Sequence, residues 1–198
     1  MSRQLGLVCF TILTVACSDG QAADTPVQQP TVTAVDSILP REEAFARFTR
    51  DLPAKTRLTN GESSTEALVT LLFTALAERD TAAILGMVLS RAEYAHLYYP
   101  TSLYTKKPYE LAPDIAWLLS SQGNAKGATR LIQRLGGRDL RAEGVQCTRT
   151  ETEGENTIHS QCTVSFTENG GELQTRRLFQ SMVERDGHVK FLSYSGDY

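Results

Sequence analysis

The chain has 198 residues, 41% of them hydrophobic and 22% charged, with 20 basic against 23 acidic residues and a net charge of −3. That length suits one domain of ordinary size, and charges of both signs, interspersed without a block of either, favour neither a nucleic-acid partner nor an anionic membrane face. Three histidines scattered along the chain point to no metal site, and no cofactor signature stands out.

A single basic residue, Arg3, precedes an apolar run from Leu5 to Cys17, which is the layout of a secretory signal. About a dozen apolar residues cannot cross a hydrocarbon core of about 30 Å, so residues 1–16 are expected to be removed. Thr14-Val15-Ala16-Cys17 resembles the bacterial lipobox, whose cysteine becomes a lipid-modified N-terminus. The resemblance implies that Cys17 carries the lipid, and Ser18 after it is compatible with the periplasmic side of an outer membrane. A rival cut after Ala22 or Ala23 would release an unlipidated protein. Removing Arg3 leaves 19 basic against 23 acidic residues, a net charge near −4. Residues 17–40, rich in Thr, Gln, Ala, Asp and Pro, lack the contiguous apolar surface that would offset the entropy of ordering them. They read as a tether holding a domain, 41–198, roughly 25 Å from the membrane.

That domain opens with helices. Phe45, Phe48 and Leu52 recur at helical spacing from Arg41 to Leu52, and Pro53 stops the pattern. Ser63 and Glu66 form an expected capping box before the stripe Leu68, Leu71, Leu72, Ala75 and Leu76. Asp80 caps a short helix holding Ile84, Leu85, Val88 and Leu89, and Ser90 with Glu93 makes a second capping box before Tyr94, Leu97 and Tyr98, ended by Pro100. Pro113 suits the first position of a helix from Asp114 to Ser121, closed by Gly123; Asn124 opens a last helix to Leu135, before Gly136-Gly137, a chain reversal without a preceding strand.

From Leu140 the period becomes two, and four strands are expected at 141–150, 156–167, 173–184 and 188–195. Gly154-Glu155, Asn169-Gly170 and Asp186-Gly187 supply hairpin turns. With Cys9 lost in the signal and Cys17 lipidated, Cys147 and Cys162 remain in an oxidising compartment. The turn at 154–155 sets them directly opposite, with Val145 against Val164, as a hydrogen-bonded pair about 5.5 Å apart at Cα. Their disulfide would contribute about 3 kcal/mol in the chain-entropy model. One face of the sheet collects Val145, Cys147, Ile158, Cys162, Val164, Phe166, Leu173, Phe179, Val183, Leu192 and Tyr194, and should receive the helices. On the other, Leu178, Met182, Val189 and Phe191 form a patch suited to a homodimer contact or to a folded-back N-terminal helix.

Helices first, then hairpins ending in Val189-Lys190-Phe191-Leu192-Ser193-Tyr194, resemble the nuclear transport factor 2-like, or cystatin-like, α+β fold over residues 62–198. The resemblance implies helices on one face of a curved, cone-like antiparallel sheet, whose mouth binds a small ligand, hosts acid–base chemistry or is filled by side chains; fold alone does not choose. Proton-abstracting relatives place a carboxylate or His in the mouth, where Asp114, Glu93 and His96 would border it. Each has a plainer role: Glu93 in its capping box, Asp114 at a helix N-terminus, His96 on the polar side of a helix. His159 and His188 are expected to be exposed. The local excess is aromatic: Tyr94, Tyr98, Tyr99, Tyr104, Tyr109 and then Trp117, which either line a ligand mouth, stacking on rings such as those of cell-wall glycans, or pack in the core and seal a loop. Lys106-Lys107 beside them are solvated charges or meet an anionic ligand. No catalytic residue is assigned. The expected protein is an envelope lipoprotein whose domain binds a small ligand or a protein partner without catalysis. The alternatives are an isomerase- or dehydratase-type enzyme using a pocket carboxylate or His, and a structural dimerisation module.

Overall fold

The computed structural model describes residues 39–194, so the signal, Cys17, Ala22 and Ala23 lie outside the described residues. Helix α1 (Arg41–Thr49) buries Phe48 and ends three residues before the expected Leu52. Helix α2 (Thr65–Ala77) starts one residue later than its expected cap: Ser64 Oγ, not Ser63, accepts from Ala67 N at 3.1 Å, and Glu66 accepts from Thr65 Oγ1 instead of closing a box. Helix α3 (Thr81–Gly86) is capped by Asp80, as its spacing required. At α4 (Arg91–Glu93) both bonds of the Ser90–Glu93 capping box form.

The chain then continues as a π-helical turn, Tyr94–Tyr98, and 3-10 turns at Tyr99–Thr101 and Leu103–Thr105. Tyr99 N donates to Tyr94 O across the wider turn. That extra residue re-phases the helix, so Tyr94, Ala95, Leu97, Tyr98 and Tyr99 are all buried. Helix α5 (Pro113–Leu135) is one helix of 23 residues, not the two expected. Gly123 lies within it, and Asn124 does not cap but reaches β5, where Nδ2 donates to Leu192 O at 3.2 Å and Oδ1 accepts from Tyr194 N at 2.9 Å.

Five strands follow: β1 (Leu140–Glu153), β2 (Asn156–Glu168), β3 (Gln174–Arg176), β4 (Ser181–Arg185) and β5 (His188–Ser193). They make one curved, open antiparallel sheet in the order β1-β2-β4-β5, with β3 also on β2, so the α+β class is as expected while the strand count rises from four to five. The expected strand 173–184 is broken at 177–180: β3 pairs with Val164–Phe166 of β2 and β4 with Thr157–Ser160 in a register shifted by one residue, and in the gap Leu178 and Phe179 are both buried. Leu173, expected on the core face, is 59% exposed.

The first hairpin keeps its expected register: Cys147 faces Cys162 and Val145 faces Val164, and the two sulfurs are bonded. The Cα separation is 4.0 Å, shorter than the 5.5 Å expected of a hydrogen-bonded pair. The backbone beside it is irregular, with Gln161 in the left-handed region at φ 54°. Asn169-Gly170 and Asp186-Gly187 all have positive φ, which suits two-residue turns that follow the twist of a sheet.

Two hydrophobic clusters form. The first joins Leu68, Leu72, Phe73 and Leu76 of α2, Ile84 of α3, Ala128 and Leu131 of α5, and Cys162, Val164, Phe166, Leu178, Phe179, Met182, Val189 and Phe191. The second joins Phe48, Leu58, Leu89, the buried tyrosines, Ala116, Ile158 and Val183. Neighbours Met182 and Val183 therefore enter different clusters, so both faces of the β4–β5 ribbon are covered rather than one. The apolar set Leu178, Met182, Val189 and Phe191 is fully buried inside the chain, which removes it as a dimer surface. Backbone pairings of Glu62 with Val189 and of Val88 with Phe191 bring the α2–α3 region onto β5.

Candidate functional site

Glu93 shows how the chain commits its most deeply buried carboxylate. Ser90 N donates to Oε2 at 2.8 Å, Thr59 N and Oγ1 donate to Oε1 at 2.6 and 2.8 Å, and Lys190 Nζ reaches Oε2 at 3.0 Å while also donating to Thr59 O at 3.1 Å. Burial alone would raise this acid. The backbone donors at Thr59 and Ser90 and the Lys190 ammonium outweigh burial and lower its pKa to about 2. Glu93 is thus an ionised structural clasp between α4 and β5. Lys190 could have been flagged in the sequence, since it shares the parity of Leu192 and Tyr194 on the expected core face.

The other acid–base candidates are apart from one another. Asp114 is exposed in the first turn of α5. His96 is half-buried, with a buried Nε2 that has no hydrogen-bond partner. His159, expected to be exposed, is instead half-buried and held between Glu184 Oε2 at 2.9 Å and Thr150 Oγ1 at 3.4 Å; His188 is exposed as expected. Among the described residues no group of three His, Cys, Asp or Glu could hold a metal ion, and no helix is long and apolar enough to cross a membrane.

The aromatic residues divide between core and surface. Tyr94 packs on Tyr98, Tyr99 and Trp117 with centroids 5.5, 6.3 and 5.2 Å away, and Tyr99 donates its hydroxyl to Leu111 O at 2.7 Å. Tyr104 is half-buried against the exposed Tyr109, centroids 6.3 Å apart. Lys106 and Lys107 are exposed beside them.

Two of these rings border a cleft of about 280 Å³ between α5 and the β4–β5 ribbon. Tyr98 and Tyr104 line it together with Leu119, Ser120 and Gly123 of α5 and with Gln180, Ser181, Leu192 and Ser193. Gly123 helps keep it open, since a Cβ there would meet nothing within 4 Å. Burial, then the proximity of Glu153 and Tyr104, pushes the Tyr98 phenol up; burial, then Tyr109 and Glu153, does the same to Tyr104. Both remain neutral hydroxyls at any physiological pH. Glu153 is also raised, by burial and Glu151 against the opposing Lys106, and its Oε2 is buried without a hydrogen-bond partner.

Of the cleft residues, the sequence pointed to Tyr98 and Tyr104 only. Gly123 reads as a helix end in the sequence, and Gln180 and Ser181 fall within an expected strand that the fold interrupts. No protein-family model matches the chain, and neither a curated protein nor a solved structure matches it.

Proposed function

We propose that this chain is an envelope lipoprotein, anchored through Cys17 at the periplasmic side of an outer membrane, whose domain binds a small neutral ligand rich in hydroxyl groups, such as a sugar unit of a cell-wall glycan. The order of helices and hairpins supports the nuclear transport factor 2-like reading of the fold. The observation that carries the binding function is the lining of the cleft, where Tyr98, Tyr104, Ser120, Gln180 and Ser181 stand beside the apolar Leu119 and Leu192. Convergent polar groups on apolar walls are what orient a small polar ligand, and an aromatic ring adds a face on which a sugar stacks. Glu93, the carboxylate that catalysis would most naturally have recruited, has both oxygens committed.

The test is calorimetric titration of the full chain with N-acetylglucosamine oligomers. Tyr104→Ala is expected to weaken binding about tenfold, equivalent to about 1.4 kcal/mol. Gly123→Leu, which fills the cleft, is expected to abolish binding while stabilising the exposed helix position by roughly 0.5–1 kcal/mol. Absence of binding, or equal binding by both variants, overturns the reading.

A second reading, acid–base catalysis of the isomerase or dehydratase type, draws on Glu153, whose raised pKa and unpartnered oxygen lie near Tyr98. Glu153→Gln separates the two: it leaves sugar binding intact if the domain only binds, and it abolishes turnover of a carbonyl substrate if the domain is an enzyme.

A further inference from the structure

Large apolar side chains left exposed are not spread evenly over the described residues. Leu103, Tyr109, Ile115, Leu118 and Leu119 are each 44–57% exposed, and they fall within one 17-residue stretch of the chain. Ile115, Leu118 and Leu119 share a face of α5 by their i, i+3, i+4 spacing. Leu119 borders the cleft with Tyr104, whose ring meets Tyr109. The helix face and the loop thus join into one surface, of the kind that on a soluble domain marks an interaction site.

Its place relative to the N-terminal chain says what covers it. Described structure begins just ahead of α1, and Arg41, the first residue of that helix, lies 3.7 Å from Glu110, the neighbour of Tyr109. Arg41, Phe45, Tyr99 and Thr105 also share a groove, which puts the start of α1 against the same loop. The chain therefore enters the domain beside the apolar surface. Lys106 and Lys107 are exposed next to it; of the nearby acids Glu110 faces Arg41, Asp114 occupies the first turn of α5, and Glu153 lies close enough to Lys106 to feel its charge, which leaves Lys107 as the cation without a named acid beside it.

We infer that this surface docks on the lipid bilayer itself, at the boundary of headgroups and acyl chains. Leu103, Tyr109, Ile115 and Leu118 enter the apolar layer, and Lys106 and Lys107 meet headgroup phosphates, the arrangement of an interfacial contact. The inference rests on the proposed anchor at Cys17 for its effective concentration: the domain is entered at Arg41, beside Glu110, so an anchor ahead of it favours this end of the domain.

Trp117, the only tryptophan of the sequence, is half-buried against Tyr94 on the helix that carries Ile115 and Leu118, and from beneath that face it reports the contact. The full chain is placed on vesicles of phosphatidylethanolamine and phosphatidylglycerol, with and without bromine on the acyl chains. Docking is expected to quench about half of the Trp117 emission by bromine, and an Ile115→Ser, Leu118→Ser variant, altered at exposed positions only, is expected to keep its emission and its far-ultraviolet circular dichroism. Unquenched wild-type emission, or equal quenching of the variant, overturns the inference. A dimer in sedimentation that the variant abolishes, with no effect of bromine, assigns the surface to a second copy and overturns it too. The mass of the Cys17 peptide tests the anchor separately: an unmodified cysteine sinks the anchor, whereas quenching of that unlipidated chain by the same vesicles still upholds the docking surface.

Discussion

The first cluster, from α2, α3 and α5 to β2 and the terminal ribbon, is built mostly from aliphatic and phenyl side chains, and the buried Tyr194 hydroxyl within it donates to Ile84 O at 2.7 Å. The second, around the π-helical turn, is built largely from tyrosines and adjoins the Glu93–Lys190 pair. Packing of the first kind gains stability in proportion to the area it removes from water. Packing of the second kind must also give every buried oxygen and nitrogen a partner, and it is here that partners are missing, at Tyr94 Oη and His96 Nε2. The cleft and the exposed apolar residues both adjoin this second region, so the part of the molecule that is least completely satisfied is also the part with surface left to offer.

Truncating one anchor in each region separates the two kinds of packing most strongly. Phe191→Ala, in the first cluster between Phe179 and Tyr194 with ring centroids 4.8 and 5.0 Å away, is expected to cost about 3–5 kcal/mol in chemical denaturation. Glu93→Gln, which leaves the Lys190 ammonium buried without its charge partner, is expected to cost about the same, 3–5 kcal/mol, but with a pH dependence that Phe191→Ala lacks. Because Glu93 falls from an ordinary 4.5 to about 2 in the folded chain, its contribution is fully present above pH 4.5 and is lost as the pH falls through 2. Denaturation curves of the wild type and Glu93→Gln should therefore converge between those values and stay apart above them.

Reducing Cys147–Cys162, which spans 15 residues, is expected to cost about 3 kcal/mol or less, and to affect the hairpin beneath the first cluster while leaving the cleft's ligand binding unchanged. Gly127→Ala, whose Cβ would lie 2.6 Å from Tyr194 Cβ and 2.7 and 2.9 Å from the backbone O and C of that residue, forces the backbone to shift, and about 3 kcal/mol of overpacking is expected. Equal loss of the cleft's ligand binding would show that α5 couples the two regions.

Features set by neighbours in the chain were legible beforehand. The Asp80 cap and the Ser90–Glu93 box depend on residues three apart, and the register that joins Cys147 to Cys162 depends on one glycine turn. Where a choice depended on what lies across the fold, the pattern misled. Gly123 and Asn124 look like a helix end and a cap, yet α5 runs through them because Asn124 finds the backbone of Leu192 and Tyr194. The run 173–184 looks like one strand, yet its two halves pair with β2 in registers one residue apart and the chain leaves the ladder between them.

The α+β order, the Asp80 and Ser90–Glu93 caps, the hairpin turns and the disulfide are written in the residues alone, since each follows from backbone geometry and side-chain chemistry within a few residues or across a single turn. Long-range packing settled that both faces of the β4–β5 ribbon are covered, that Lys190 meets Glu93 in the interior, and that Tyr98 and Tyr104 border a cleft with residues more than 70 positions away. Those outcomes depend on which surfaces compete for the same burial, and a periodicity read along one strand or helix holds no record of its partner.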